Sequence, residues 1–221
     1  MLLNLTIKGR KFKYSVIDGD YRKRELAPAL DLLVTAGIVH KVYHSSGQGI
    51  PVGAQADLTD YKIIYLDVGI SQAILGLDVA EWLLHPLTKF VNQGSLVEAF
   101  VGQEMLTYGN AHRKKDLYYW HRESPSSQAE VDYLVQQAEA VVPIKVKMPA
   151  RHSLRRRLGG TGRSIKSMQM FLDTHPASPY GIRFSTHNYS IHEKIHSYPL
   201  YTIASALAGR DQEKEALRSL I

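Results

Sequence analysis

The sequence predicts a mixed α/β fold, a β-sheet flanked by helices. Three observations predict it. Ala129–Met148, AEVDYLVQQAEAVVPIKVKM, reads as two alternating strands joined by a short polar turn. Gly94–Tyr108, GSLVEAFVGQEMLTY, carries the periodicity of a helix. Further helix and strand patterns flank both, along 221 residues that suit one large domain or two small ones.

Composition sets the outer bounds. Hydrophobic content of 44% and charged content of 22% are those of an ordinary globular protein. A net charge of +6 permits contact with nucleic acid without requiring it. The chain has no cysteine, which excludes disulfides and thiolate metal sites and suits a reducing cytoplasm. The start, MLLNLTIKGRKFKYS, holds too short an apolar run for a signal peptide. No segment approaches the roughly 18–20 apolar residues that span a bilayer. A cytoplasmic protein without membrane partners is expected.

In the first third, Gly9–Lys13 is a basic cluster of the kind found in solvated tails. Glu25–Ala36 reads as a helix with Leu26, Leu30, Leu33 and Val34 on one stripe and Gly37 as its stop. IVHKVYHS then alternates like a strand, SSGQGIP is a turn, and YKIIYLDVG is a second strand. Helix, strand, Gly-rich turn and strand make a winged-helix-like segment, assigned to residues 1–90. Such units bind DNA or serve as plain connectors. Arg22, Lys23 and Arg24 precede the helix, so the usual base-reading face is not evidently basic. Ser71–Leu75 and Ala80–Val91 read as short helices, the second interrupted by Pro86.

The helix at Gly94–Tyr108 has Ser95 as a candidate cap, with Glu98 at the capping-box spacing. Val97, Val101 and Met105 form an apolar stripe widened by Leu96 and Phe100. Glu98 and Glu104 lie about 240° apart around the axis, so they cannot serve one site. Glu98, among the apolar residues, is the better inward carboxylate. Asp116–Glu123 follows as a strand, SPSSQ as a loop, and then the hairpin. Ser164–Thr174 reads as a helix and Tyr180–Ser185 as a strand. Tyr118, Tyr119, Trp120, Phe171 and Phe184 are expected in the core.

Alternation places Glu130 and Asp132 on one face of the first hairpin strand, with Val131 and Tyr133 on the other. In the second strand Lys145 and Lys147 share a face. Paired, the strands bring two carboxylates and two ammonium groups to one side of the sheet. A phosphodiesterase uses such a set: carboxylates hold a metal, and a lysine positions water or neutralises a developing oxyanion. The same pattern also describes a solvent face laced with cross-strand ion pairs.

The blocks GSLVEAFVGQEM, LYYWHRE, AEVDYLVQ, PIKVKM and YGIRFS fall in an order that resembles a C-terminal domain of unknown function carried by a large family of ATPases of the AAA superfamily. That domain is similar to the restriction-endonuclease-like fold of PD-(D/E)xK nucleases. GRKFKYS, RELAPALDLLVTAGIVHKVYHSS and IIYLDVGISQAILGLD resemble the region that joins the ATPase to it. The resemblance implies a restriction-endonuclease-like domain over residues 91–221 and a Mg²⁺-dependent nuclease site. Glu98 would be the helix carboxylate, Asp132 the central metal ligand and Lys147 the lysine of the (D/E)xK element. It also implies two partners, an AAA-type ATPase domain or another protein, and nucleic acid, DNA first.

Two departures bear on that activity. The carboxylate of the (D/E)xK element would fall at position 145, where this chain has Lys145. The formal charge of positions 98, 132 and 145 changes from about −3 to about −1. Glu130, on the face of Asp132, is the candidate compensating ligand, and cleavage is expected to be impaired rather than intact. A non-catalytic interaction or regulatory module of an ATPase is the alternative. The second departure is MPARHSLRRRLGGTGR, whose Arg151, Arg155, Arg156, Arg157 and Arg163 suit a phosphate backbone or a solvated loop equally. GGTGRS lacks the spacing and lysine of a nucleotide-binding loop, so no ATP site is expected in this chain. His192-Glu193-Lys194-Ile195-His196 matches the zinc-peptidase signature H-E-x-x-H, with Glu213 or Glu215 as a third ligand. That chemistry needs a helix, and NYSIHEKIHSYPLY alternates like a strand.

Overall fold

A computed structural model describes residues 11–14, 17, 21–74, 93–108, 115–124, 127–147 and 162–207. Helix α1 (Lys23–Thr35) is followed by β1 (Val39–Ser45) and β2 (Ala56–Tyr65), then by the short helix α2 (Val68–Ile74). Helix α3 (Gln93–Thr107) leads into β3 (Leu117–Ser124), β4 (Ser127–Gln137) and β5 (Ala140–Lys147). Helix α4 (Gly162–Thr174), β6 (Gly181–Ser185), β7 (Ser190–His192) and β8 (Ile195–Pro199) complete the order. The expected helix at Ala80–Val91 lies outside the described residues, as do Glu213 and Glu215.

Among the described residues, eight strands join one sheet in the order β2-β1-β3-β4-β5-β6-β8-β7. The sheet is mixed: β1/β3, β5/β6 and β6/β8 run parallel, and the other neighbours are antiparallel. The α/β expectation of a mixed sheet flanked by helices therefore holds. The helix–strand–turn–strand of the first third is present, and its hairpin continues the sheet through the β1/β3 pairing of Val42 with Leu117.

Local chemistry explains the elements. Glu25 accepts the Arg22 backbone N–H (2.7 Å) at the start of α1. At its end, Ile38 N–H reaches Leu33 C=O and Gly37 N–H reaches Val34 C=O, a Schellman closure. That closure needs the left-handed backbone of Gly37 (φ +71°). Leu30 is buried, and Leu26, Leu33 and Val34 pack with it on Phe12, Val39, Tyr61 and Ile63. The β4–β5 hairpin closes through the two residues Ala138 and Glu139 between paired Gln137 and Ala140.

Two helices cover opposite faces. Adjacent Tyr119 and Trp120, like adjacent Val142 and Val141, go to different hydrophobic clusters. The first cluster holds Ala99, Val101 and Met105 of α3, and the second holds Phe171 of α4. Tyr119, Trp120, Phe171 and Phe184 are core residues as expected, and Tyr118 is half-buried. Each such buried side chain contributes about 1.5–3 kcal/mol over exposure.

One irregularity matters for the site. Tyr118 pairs with Leu134 but Trp120 pairs with Val131, so Tyr119 alone faces the two residues Asp132 and Tyr133. This bulge breaks the alternation. Val131 and Leu134 pack with the α4 cluster, while Tyr133 joins the α3 cluster. The expectation that Val131 and Tyr133 share a face is thereby corrected.

Candidate functional site

Five charged side chains converge between α3 and the sheet. One carboxylate oxygen each from Glu98, Glu130 and Asp132 lies within 4.8 Å of the others. Lys62 of β2 donates to Glu98 Oε1 (3.1 Å) and to Glu130 Oε1. Lys145 of β5 donates to Asp132 Oδ1 (2.5 Å), and the Val146 backbone N–H donates to Asp132 Oδ2 (2.6 Å). The Lys62 ammonium also sits 4.6 Å from the centre of the Tyr119 ring.

Each element positions its residue for a local reason. The β4 bulge gives Asp132 its place beside Lys145, one residue beyond the Tyr133–Ile144 pair. The Tyr133 hydroxyl donates to the Glu98 backbone carbonyl (2.7 Å), which anchors α3 on the sheet. Gly102 allows that approach, since a Cβ there would run into the Tyr133 hydroxyl and the Ile64 side chain. Helix α3 begins by Gln93, so Ser95 is its third residue and no capping box forms with Glu98. The Glu98 side chain is turned to Lys62 instead. Glu104 takes no part; it accepts from Tyr108.

The electrostatics follow from burial and from an unequal count of charges. Lys62 is 5% and Asp132 4% exposed. Burial alone would lower the Lys62 pKa, but Glu98, Glu130 and Asp132 outweigh it and hold it above the usual lysine range. Lys145 is raised in the same way, against burial, chiefly by Asp132. Glu98 is pushed up to about 7, by burial first and then by Asp132 and Glu130, against the pull of Lys62. Glu130 is held low, because Lys62 and Lys145 outweigh its burial.

The structure thus brings together Glu98, Glu130 and Asp132, with Lys145 at the position noted as a departure. Lys147 ends β5 beside Ser185 and is half-buried. Arg151, Arg155, Arg156 and Arg157 lie outside the described residues; Arg163 falls in the first turn of α4, with its side chain undescribed. Lys62 was missed from sequence. Its one signal was a lysine inside an apolar strand, YKIIY.

The H-E-x-x-H stretch is not helical. Ile191 pairs with His196 and His192 with Ile195, across a two-residue turn at Glu193 (φ +52°) and Lys194. Cross-strand partners share a face, so His192 and His196 point to opposite faces. The continuous strand expected there is corrected to a hairpin, and the zinc-peptidase geometry is absent from these residues.

The acidic centre does not fit a magnesium ion as arranged. Both Asp132 oxygens are committed, one to an ammonium and one to a backbone N–H. Two lysines already oppose three carboxylates, and a divalent cation would join them at close range.

Residues 93–203, half of the chain, match the family model described as a domain of unknown function, DUF4143. The chain belongs to the DUF4143 family. The DUF4143 region contributes Glu98, Glu130, Asp132 and Lys145. Lys62 lies outside it, within residues 2–81, which match a second model described as a domain of unknown function, DUF8612. No curated protein and no solved structure matches the chain.

Proposed function

We propose that the chain is a nuclease-fold module of an AAA-type ATPase, working on nucleic acid, whose acidic centre is an internal ion-pair network instead of a metal-dependent hydrolytic site. The observation that carries this reading is the capture of Asp132 by Lys145 and the Val146 N–H. In the family this chain resembles, position 145 is expected to supply a metal-ligating carboxylate. Here it supplies the charge that a metal would have supplied. The module's contribution is then binding rather than cleavage, through the basic balance of the chain and the arginines at 151–163.

Calorimetric titration with Mn²⁺ and plasmid nicking in Mn²⁺ test it. Wild type is expected to show no Asp132-dependent binding and no nicking. Lys145→Glu is expected to gain a Mn²⁺ site that a further Asp132→Ala removes. Tight binding or nicking by wild type, lost on Asp132→Ala, overturns the reading. Affinity for a short DNA duplex should fall linearly against log salt, with a slope reduced by Arg155→Ala and Arg156→Ala. A slope near zero removes the nucleic-acid part.

A further inference from the structure

A second polar cluster lies on β1, β2 and β3, beside the acidic centre, with His121 paired across the strands to Glu130. It consists of His44, Asp60 and His121, with one potential ligand atom from each within 4.8 Å of the others. An irregular stretch of β2 delivers Asp60. Tyr43 pairs with Tyr61, but His44 pairs with Asp57, so Leu58, Thr59 and Asp60 are extra on β2. Asp57 accepts from the Thr59 N–H (2.8 Å) and hydroxyl (2.7 Å), which folds that stretch. The buried Asp60 then meets two imidazoles whose ring centres are 4.4 Å apart.

Asp60 Oδ2 is 3.0 Å from His121 Nε2, and Tyr119 donates its hydroxyl to Asp60 Oδ1 (2.6 Å). Such an orienting bond to a carboxylate is typical of metal ligands. His44 Nε2 is buried with no hydrogen-bond partner among the described residues. A buried, unsatisfied ring nitrogen is costly, and it needs an explanation that packing does not give. A metal ion supplies one.

We propose that His44, Asp60 and His121 bind one divalent ion of the zinc class through two imidazole nitrogens and a carboxylate oxygen. Imidazole selects borderline transition metals over magnesium. Three protein ligands leave a fourth position open for water or a ligand, as in catalytic rather than structural zinc sites. Ligand atoms around bonds of about 2.0–2.1 Å sit roughly 3.0–3.5 Å apart, so the cluster closes by small side-chain rotations. The competing cation is Lys11, whose ammonium lies 2.6 Å from Asp60 Oδ2 on a side chain 41% exposed. An incoming ion displaces it into water.

The test is zinc titration of the tag-free, chelator-treated full chain, by calorimetry and by imidazole ¹⁵N NMR. One Zn²⁺ per chain is expected, with the His44 and His121 resonances moving on addition. His44→Ala and His121→Ala should each raise Kd at least about tenfold. Lys11→Met should lower it. Absence of stoichiometric zinc, or zinc binding with the His44 and His121 resonances unmoved in wild type, overturns the proposal. So does a Kd equal in wild type and Lys11→Met. The comparison of wild type with Lys11→Met is decisive even if a histidine variant fails to fold. Failure of the Mn²⁺ experiment at Asp132 would leave this result standing.

Discussion

Glu98 is the residue on which the acidic centre balances. Three carboxylates against two ammonium groups leave a formal charge of about −1, and one proton cancels it. Burial and its two carboxylate neighbours place that proton on Glu98, at about pH 7 instead of 4.5. The folded state therefore binds this proton more tightly than the unfolded chain. Its contribution to stability is full below pH 4.5 and is lost as pH rises through about 7. The Glu98 carboxyl, followed by ¹³C NMR, is expected to titrate near neutrality, and Glu98→Gln should flatten the fall in stability between those values. A midpoint at or below 4.5 defeats this explanation. Lys62→Met should raise the Glu98 midpoint further, since Lys62 is the strongest influence lowering it. That variant should lose about 3–5 kcal/mol at pH 8, as expected when one partner of a buried pair is removed, and less at pH 5. The carboxylates were legible in sequence because E-V-D alternation and a helical glutamate are local patterns. Lys62 was not, because it lies 36 residues from Glu98 and 68 from Glu130, and nothing local announces its partners.

At the level of elements, the helix and the hairpin are held together by one close contact. Helix α3 meets the sheet where Gly102 passes the Tyr133 hydroxyl, itself bonded to the Glu98 carbonyl. An alanine is worth up to about 1 kcal/mol more than glycine in a helix interior. Here the added methyl enters a buried, hydrogen-bonded contact, and such overpacking costs about 1–3 kcal/mol. Gly102→Ala is therefore expected to lower stability in denaturant titration, whereas Gly94→Ala, whose Cβ would meet nothing within 4 Å, should not. Equal effects would show that the contact is not tight. Strand and helix existence followed from periodicity, as in Ala129–Met148 and Gly94–Tyr108. The β4 bulge did not, since an extra residue inserted in one strand leaves the composition of the pattern intact while moving Tyr133 to the other face. The turn at Glu193 and Lys194 was hidden for a related reason: neither glycine nor asparagine marks it.

Across the whole molecule, the sheet runs without a break from the first third into the DUF4143 region. The sequence suggests a boundary near residue 90, because a helix–strand–turn–strand unit has a familiar local signature. The β1/β3 pairing that joins it to the rest links residues 42–44 with 117–119, and long-range strand pairing leaves no mark in either stretch alone. The join has a measurable consequence. A fragment of residues 93–207 would lose β1 and β2 and turn β3 into an exposed edge, an invitation to aggregation. It would also lose Lys62, and with it the ion pairs of Glu98 and Glu130, while Lys145 would still hold Asp132. Calorimetry of that fragment is expected to show no cooperative transition, or one far below that of the full chain. A fragment that melts cooperatively at the temperature of the full chain would establish the two regions as independent. The ion-pair network would then be an interface between them and not part of a common core.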